Sequence, residues 1–295
     1  MPSTPAVGHV VRCALAIFRD SLCTTAVTCT STARAFSGAP CCDGTVTTAR
    51  AGLASRNTAE LLFAAEMYGL QLDQLAELLG GAMRQARALA ARWASAGLAD
   101  SAVLSAGPPW VWLTRAGLQA CGLRYAAAPP ALARLEHIRA VTAARLALQS
   151  VPAYRDGAAH WRSERRLHAR LGSHRGARDH LPDAEVHWPD APASGTPPAW
   201  AGECWAIEAE LTPKTLARTT AIMRELLART GDYGCPAADA RVAGLPPRHA
   251  RAVYLCAPAA TGTVLRARAA LGSLGNRIEV RLLPPAARLP ARTPG

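Results

Sequence analysis

Apolar residues recur along the chain with two different periods, and the change from one to the other divides it. From Asn57 to Gly69 the spacing is helical: Asn57 with Glu60 is a capping-box-like start, and Leu61, Leu62, Ala65 and Met67 continue it. Leu72, Leu75, Leu78 and Leu79 mark the buried side of a short second helix over residues 71–79, which Gly80-Gly81 ends. A third helix is expected over 82–96. Met83, Ala86, Leu89, Ala90 and Trp93 fall on one side of it, Arg84, Gln85, Arg87 and Arg92 on the other, and Gly97 stands where a C-terminal cap belongs. Two short apolar stretches, 98–104 and 110–113, flank Gly107-Pro108-Pro109 and read as paired strands with a tight tip. Thr114 caps a further helix ending near Gly122, and Pro129-Pro130 opens a long amphipathic helix that runs to Gln149.

Beyond Pro152 helices and strands alternate. The pattern predicts helices over 159–171, 215–229 and 263–271, strands over 184–188, 204–211, 252–256 and 277–283, and a loop at 235–247. With 295 residues the chain has room for about two domains. The expected division is an extension without period over 1–55, a helix-and-wing unit over 56–125, a connecting helix over 126–152, an α/β unit over 153–285 and a loose tail over 286–295. The fold class is α+β and multidomain. The connecting helix has two readings, a link between the units or a homodimer contact through residues 130–149.

Charge changes this picture less than its size suggests. The formal net charge is +12, from 33 basic and 21 acidic residues, which points to a polyanionic partner without identifying it. Lys214 is the one lysine, so the excess of arginine reflects composition as much as binding. The nine cysteines form no C-x-x-C pair and fit free thiols in a reducing cytoplasm. The stretch 13–18 is too short for a signal peptide, and no membrane-spanning segment is expected.

Three helices followed by two strands is the order of a winged helix-turn-helix. Its third helix would then enter the major groove of double-stranded DNA, with Arg84 and Arg87 on one face, Gln85 able to pair with adenine, and Arg92 further along. The alternative for the same residues is a solvated helix face. Trp110 and Trp112 could stack on nucleic acid or pack in the core.

The second half carries the chemistry. In the strand Ile207-Glu208-Ala209-Glu210, alternation places Glu208 and Glu210 on one face, and Asp183 begins a neighbouring strand. Three carboxylates so placed make a hard oxygen site suited to Mg²⁺. A salt bridge among Glu208, Glu210 and Lys214 is the competing reading. Arg162, Arg165, Arg166, Arg170, Arg175 and Arg178 surround the first acid, with His168, His174 and His180 interleaved, and suit phosphates better than a metal.

This arrangement resembles the PD-(D/E)xK nuclease superfamily. The resemblance implies a restriction-endonuclease-like domain with Asp183 as first acid, Glu208 as second, Glu210 where lysine usually stands, Lys214 as a displaced lysine and Glu164 as the helix acid. Taken with the segments 112–118, 163–165 and 206–214, the chain resembles the replication-relaxation family of actinobacterial plasmids and integrative elements. That resemblance covers roughly residues 57–285. It implies a DNA-binding protein of replication and DNA relaxation, either a Mg²⁺-dependent deoxyribonuclease with metal on Asp183, Glu208 and Glu210, or a non-catalytic regulator on a degenerate nuclease fold.

Overall fold

The computed structural model describes residues 51–151, 154, 159–171, 180–189, 200–230 and 248–283. The expectations for residues 1–50, the loop at 235–247, the tail, and Arg175, Arg178 and His174 lie outside the described residues. Among those described, two sheets and their helices form a mixed α+β structure.

The first unit runs α1 (Ala51–Glu66), β1 (Leu70–Gln71), α2 (Leu72–Leu78), α3 (Met83–Ser95), β2 (Ala99–Ala102), β3 (Trp110–Leu113) and α4 (Arg115–Ala120). Its sheet has the order β1-β3-β2, antiparallel throughout. Local chemistry sets the boundaries. Gly80 takes a left-handed φ of 59° between α2 and α3. Gly97, also left-handed, ends α3 in a Schellman turn, with the Leu98 amide donating to the Trp93 carbonyl at 2.8 Å and the Gly97 amide to Ala94 at 2.9 Å. Thr114 caps α4, its hydroxyl accepting from the Gly117 amide and donating to the Gly97 carbonyl at 2.6 Å.

A single turn of 3₁₀ helix (Leu132–Arg134) leads into α5 (Leu135–Gln149), followed by β4 (His160–Ser163), α6 (Glu164–Leu171), β5 (Ala184–His187), β6 (Cys204–Glu210), α7 (Leu216–Ala228), β7 (Arg251–Cys256), α8 (Pro258–Ala269) and β8 (Ile278–Leu282). The second sheet has the order β4-β5-β6-β7-β8. Strands β4 to β6 pair antiparallel and β6 to β8 parallel, each parallel step crossing through a helix. Ala206, Ala252, Tyr254 and Cys256 pack under α7 and α8 with Met223, Leu226, Leu227 and Val264. The opposite face, with Val186, Trp205, Ile207, Val253 and Leu255, joins one continuous core that reaches through α5 to Phe63, Leu75 and Leu89 of the first unit.

Four expectations need correction. Helix α1 begins at Ala51, so Asn57 lies inside it rather than at its cap. Residues 160–163, expected as the start of a helix, form β4: Trp161 pairs with Val186, and Trp161 and Ser163 are buried while His160 stays exposed. A four-residue alternation beside a charged helix is too short to register as a separate period. Helix α8 starts at Pro258, five residues early, because proline at the first helical position is itself a start signal. Finally, α5 starts at Leu135 rather than at Pro130 and is buried on most sides rather than amphipathic. Leu135, Ile138 to Thr142 and Ala144 to Leu148 are all buried, against β1 and α2 on one side and β6 on the other.

Gly117 makes the closest approach to another backbone segment in the first unit, because a Cβ there would lie 2.0 Å from the Leu98 carbonyl oxygen and 3.3 Å from Leu113. Gly117→Ala is expected to destabilise the protein by about 2 kcal/mol or more through forced backbone displacement. Gly80→Ala, which has open space but a left-handed φ, should cost only about 1 kcal/mol. Urea denaturation of the two variants checks the ranking.

Candidate functional site

Two surfaces carry the residues singled out in the sequence. On α3, burial of Ala86, Leu89, Ala90 and Trp93 turns Arg84, Gln85, Arg87 and Arg92 into solvent. The helix contains no acid, and the three guanidiniums have no ion-pair partner among the described residues. Trp110 is fully buried, with its indole N–H donating to Ser105 Oγ at 2.9 Å, so it belongs to the core rather than to a stacking surface. Trp112 packs partly buried beside it.

The acids occupy one face of the second sheet. Ala184 pairs with Ile207 across the antiparallel β5-β6 ladder, which makes Asp183 and Glu208 the next opposing pair. The ladder is locked there by a side chain, since Asp183 Oδ2 accepts the Ala209 amide at 2.7 Å. Glu210 follows on the same face, and Tyr254 of β7 stands in register with Glu208. Glu164 opens α6 and lines, with Asp183, His137 and Arg134, a cavity of about 20 Å³, room for a single water.

Each acid has a basic side chain of its own. Asp183 Oδ1 meets His137 Nε2 at 2.8 Å, Glu208 Oε1 meets His180 Nε2 at 2.8 Å, Glu210 meets Lys214 Nζ at 2.5 Å, and Glu164 meets Arg134 at 2.6 Å. The structure therefore sets Asp183 and Glu208 side by side and holds Lys214 on Glu210. It does not gather the three metal-assigned carboxylates around one point.

Burial would raise the pKa of Asp183, but the His137 charge and hydrogen bond, with the Ala209 amide, hold it below the ordinary aspartate range. Glu208 moves the other way: burial first and the Asp183 charge second lift it to about 7 against the pull of His180 and Lys214. Burial lowers the pKa of both histidines, yet Asp183 for His137 and Glu208 for His180 carry each above its usual value. The Tyr254 hydroxyl, buried with no hydrogen-bond partner among the described residues, is pushed well above 10 by burial and by Glu208, Glu210 and Asp183.

Sequence reasoning passed over a second constellation on the same face. Glu185, wholly buried, accepts from Arg248 at 2.6 and 2.8 Å and meets His249 at 3.0 Å and His187 at 2.9 Å. These contacts hold it far below the usual carboxylate range despite burial. Glu185, His187 and Cys204 are the one trio among the described residues whose donor atoms lie within 4.8 Å of one another, so they could hold a metal ion. The nitrogen and sulfur donors do not indicate Mg²⁺. The signal for Glu185 was present: Asp183 and Glu185 repeat two apart, as Glu208 and Glu210 do. His137, on a distant helix, left no local signal.

No helix among the described residues is long and apolar enough to cross a membrane. No family model, curated protein or solved structure matches the chain.

The pKa directions fix the sign of a pH effect. Glu208 and both histidines have native pKa values above their unfolded ones, so the native state holds extra protons on Glu208 between about pH 4.5 and 7 and on His137 and His180 from about pH 6.5 upward. Their contribution to stability is lost as pH rises through these ranges. In chelator-treated buffer the urea midpoint should fall from pH 5.5 to 8, and Glu208→Gln should flatten the decline. A midpoint that rises across the window contradicts this assignment.

Proposed function

We propose that the chain is a cytoplasmic DNA-binding protein of a plasmid or integrative element, acting in replication and DNA relaxation. Its first unit is a winged helix, and its second is a PD-(D/E)xK nuclease-like domain. The carrying observation is the exposed face of α3, where Arg84, Gln85, Arg87 and Arg92 stand without an acid on a helix that follows a short helix and a glycine turn and precedes a β-wing. The β1-β3-β2 order, with β1 between the first two helices, supports the same reading.

The reaction class is phosphodiester hydrolysis. Asp183 and Glu208 offer neighbouring oxygen donors, and the burial and like charge that raise the Glu208 pKa are what a divalent cation would offset. Bound there, Mg²⁺ would supply an acidified water and neutralise phosphate charge. The protein's own groups do the rest: His137 and the Ala209 amide hold Asp183 in place, and Lys214, bonded to Glu210 at the end of β6, would orient the attacking water. Glu164 fixes Arg134 at the edge of the site.

A second reading is a regulator that binds DNA through α3 and does not cut it. The separate basic partner held by each acid favours it, because a closed set of ion pairs completes the charge balance without a metal.

Duplex affinity should fall steeply as salt rises, and Arg87→Ala should cost about 1 to 3 kcal/mol at a specific site with the fold unchanged. An affinity that is flat in salt removes the DNA reading. Supercoiled plasmid with Mg²⁺ or Mn²⁺ separates the two forms of the proposal. Nicked or linear product that disappears in Asp183→Ala and Glu208→Ala establishes the nuclease. Absence of product from folded protein with either metal leaves the regulator.

A further inference from the structure

A cleft of about 400 Å³ opens between the two units beside the acid site. Its volume is that of a ligand pocket, and its lining is unusual for this protein: Arg124, Arg134, Arg165 and His168 with the rings of Tyr68 and Tyr125, and no carboxylate. Arg134 and His168 share Glu164, but Arg165 has only carbonyl and ring partners. It donates to the Ala65 and Ala126 carbonyls at 2.7 and 2.6 Å and lies 4.8 and 4.7 Å from the centres of the Tyr68 and Tyr125 rings. Arg124 is exposed and has no ion-pair partner among the described residues.

The wall is built to stay in place. Tyr68 is the one described residue other than glycine with a left-handed φ, 63°, and strain of this kind persists where the surroundings over-determine it. What holds it is the next residue: a Cβ on Gly69 would lie 2.8 Å from the Val111 carbonyl oxygen, so the chain passes β3 too closely to relax. The cleft also leads somewhere. Tyr68, Arg134 and Ile138 line both it and the small cavity that Glu164 and Asp183 border.

Cations without counter-charge select phosphate, and aromatic walls select a flat base. A duplex about 20 Å across does not enter a cleft of this size, whereas one strand presents both groups to it. We propose that this cleft binds a single-stranded segment of DNA, its phosphates on Arg124 and Arg165 and its bases against the tyrosine wall, and leads it past the Arg134–Glu164 pair to the acids at Glu164 and Asp183. The inference rests on the DNA-binding reading above and extends it to a second, single-strand site.

Anisotropy with the full chain tests it, using a fluorescein-labelled twelve-residue oligothymidylate and a labelled duplex of equal length. Arg124→Glu should weaken the single strand about tenfold or more and leave the duplex within about twofold, while Arg87→Ala does the reverse. Because Arg124 is exposed, its thermal midpoint should not move. Excess thymidine monophosphate should fail to displace the strand. Unchanged strand affinity in Arg124→Glu overturns the proposal, as does displacement by the mononucleotide at comparable concentration, which makes the cleft a nucleotide pocket. Wild type that binds duplex but not the strand removes this inference alone, and wild type that binds neither removes the DNA reading with it.

Discussion

Burial of α5 between the two sheets is the constraint on which the rest of the structure depends. Burying a polar side chain costs free energy unless it finds a partner, and α5 carries several. Arg139 forks onto Asp73 at 2.6 and 3.0 Å and reaches Gln71 at 2.5 Å, while the Gln74 amide donates to the Arg139 carbonyl at 2.9 Å. Arg145 lies over the Phe63 ring and 3.0 Å from Glu66, and the Thr142 hydroxyl turns back to the Ile138 carbonyl. These bonds fasten α5 to the first unit, and His137 fastens it to Asp183 of the second. One helix thereby sets where the acid row lies relative to α3, and the bonds of Arg139, Gln74 and His137 make that placement specific, while Nε and Nη1 of Arg145 stay buried without a hydrogen-bond partner among the described residues.

The same helix explains the opposed behaviour of two adjacent carboxylates. Asp183 receives a helix-borne imidazole and a strand amide, so its charge is favoured in spite of burial. Glu208 must then ionise in a buried site and beside a fixed negative charge, which His180 and Lys214 only partly offset, and it keeps its proton longer. Two carboxyl groups on neighbouring strands are thus driven apart in acidity by what each faces. Divergence of this kind is what assigns different proton-transfer roles to chemically similar groups.

Much of this was legible in the sequence because it obeys short periods. The face shared by Glu208 and Glu210, the cap at Thr114, the Gly97 turn and the solvent side of α3 all follow from spacing within a dozen residues. Strand β4 was not legible. His160 to Ser163 alternate over too few positions, and only pairing with β5 decides between strand and helix. Helix α5 misled for a different reason: its apolar face was readable, but burial of Arg139 and Arg145 on its other side depends on Asp73 and Glu66, more than sixty residues away. Sequence spacing marks which face is apolar, whereas partners distant in the chain determine whether the polar face sees water.

The basic excess shows the same limit and how structure resolves it. A net charge of +12 says only that a polyanion would be attracted somewhere. Many of the guanidiniums are already committed: Arg139 to Asp73, Arg145 to Glu66, Arg248 to Glu185 and Arg251 to Glu203. A paired, half-buried arginine contributes packing and direction but little field, because its partner cancels it at any distance a ligand would sense. Arg84, Arg87 and Arg92 on α3, and Arg124 at the rim of the cleft, have no such partner among the described residues. Arg115, Arg218, Arg224 and Arg266 are likewise exposed without an ion-pair partner among the described residues, so what distinguishes the face of α3 and the rim of the cleft is that backbone geometry also presents a helix and an aromatic wall there. Charge that is unpaired and held by rigid elements, rather than charge in total, sets where this molecule attracts an anion.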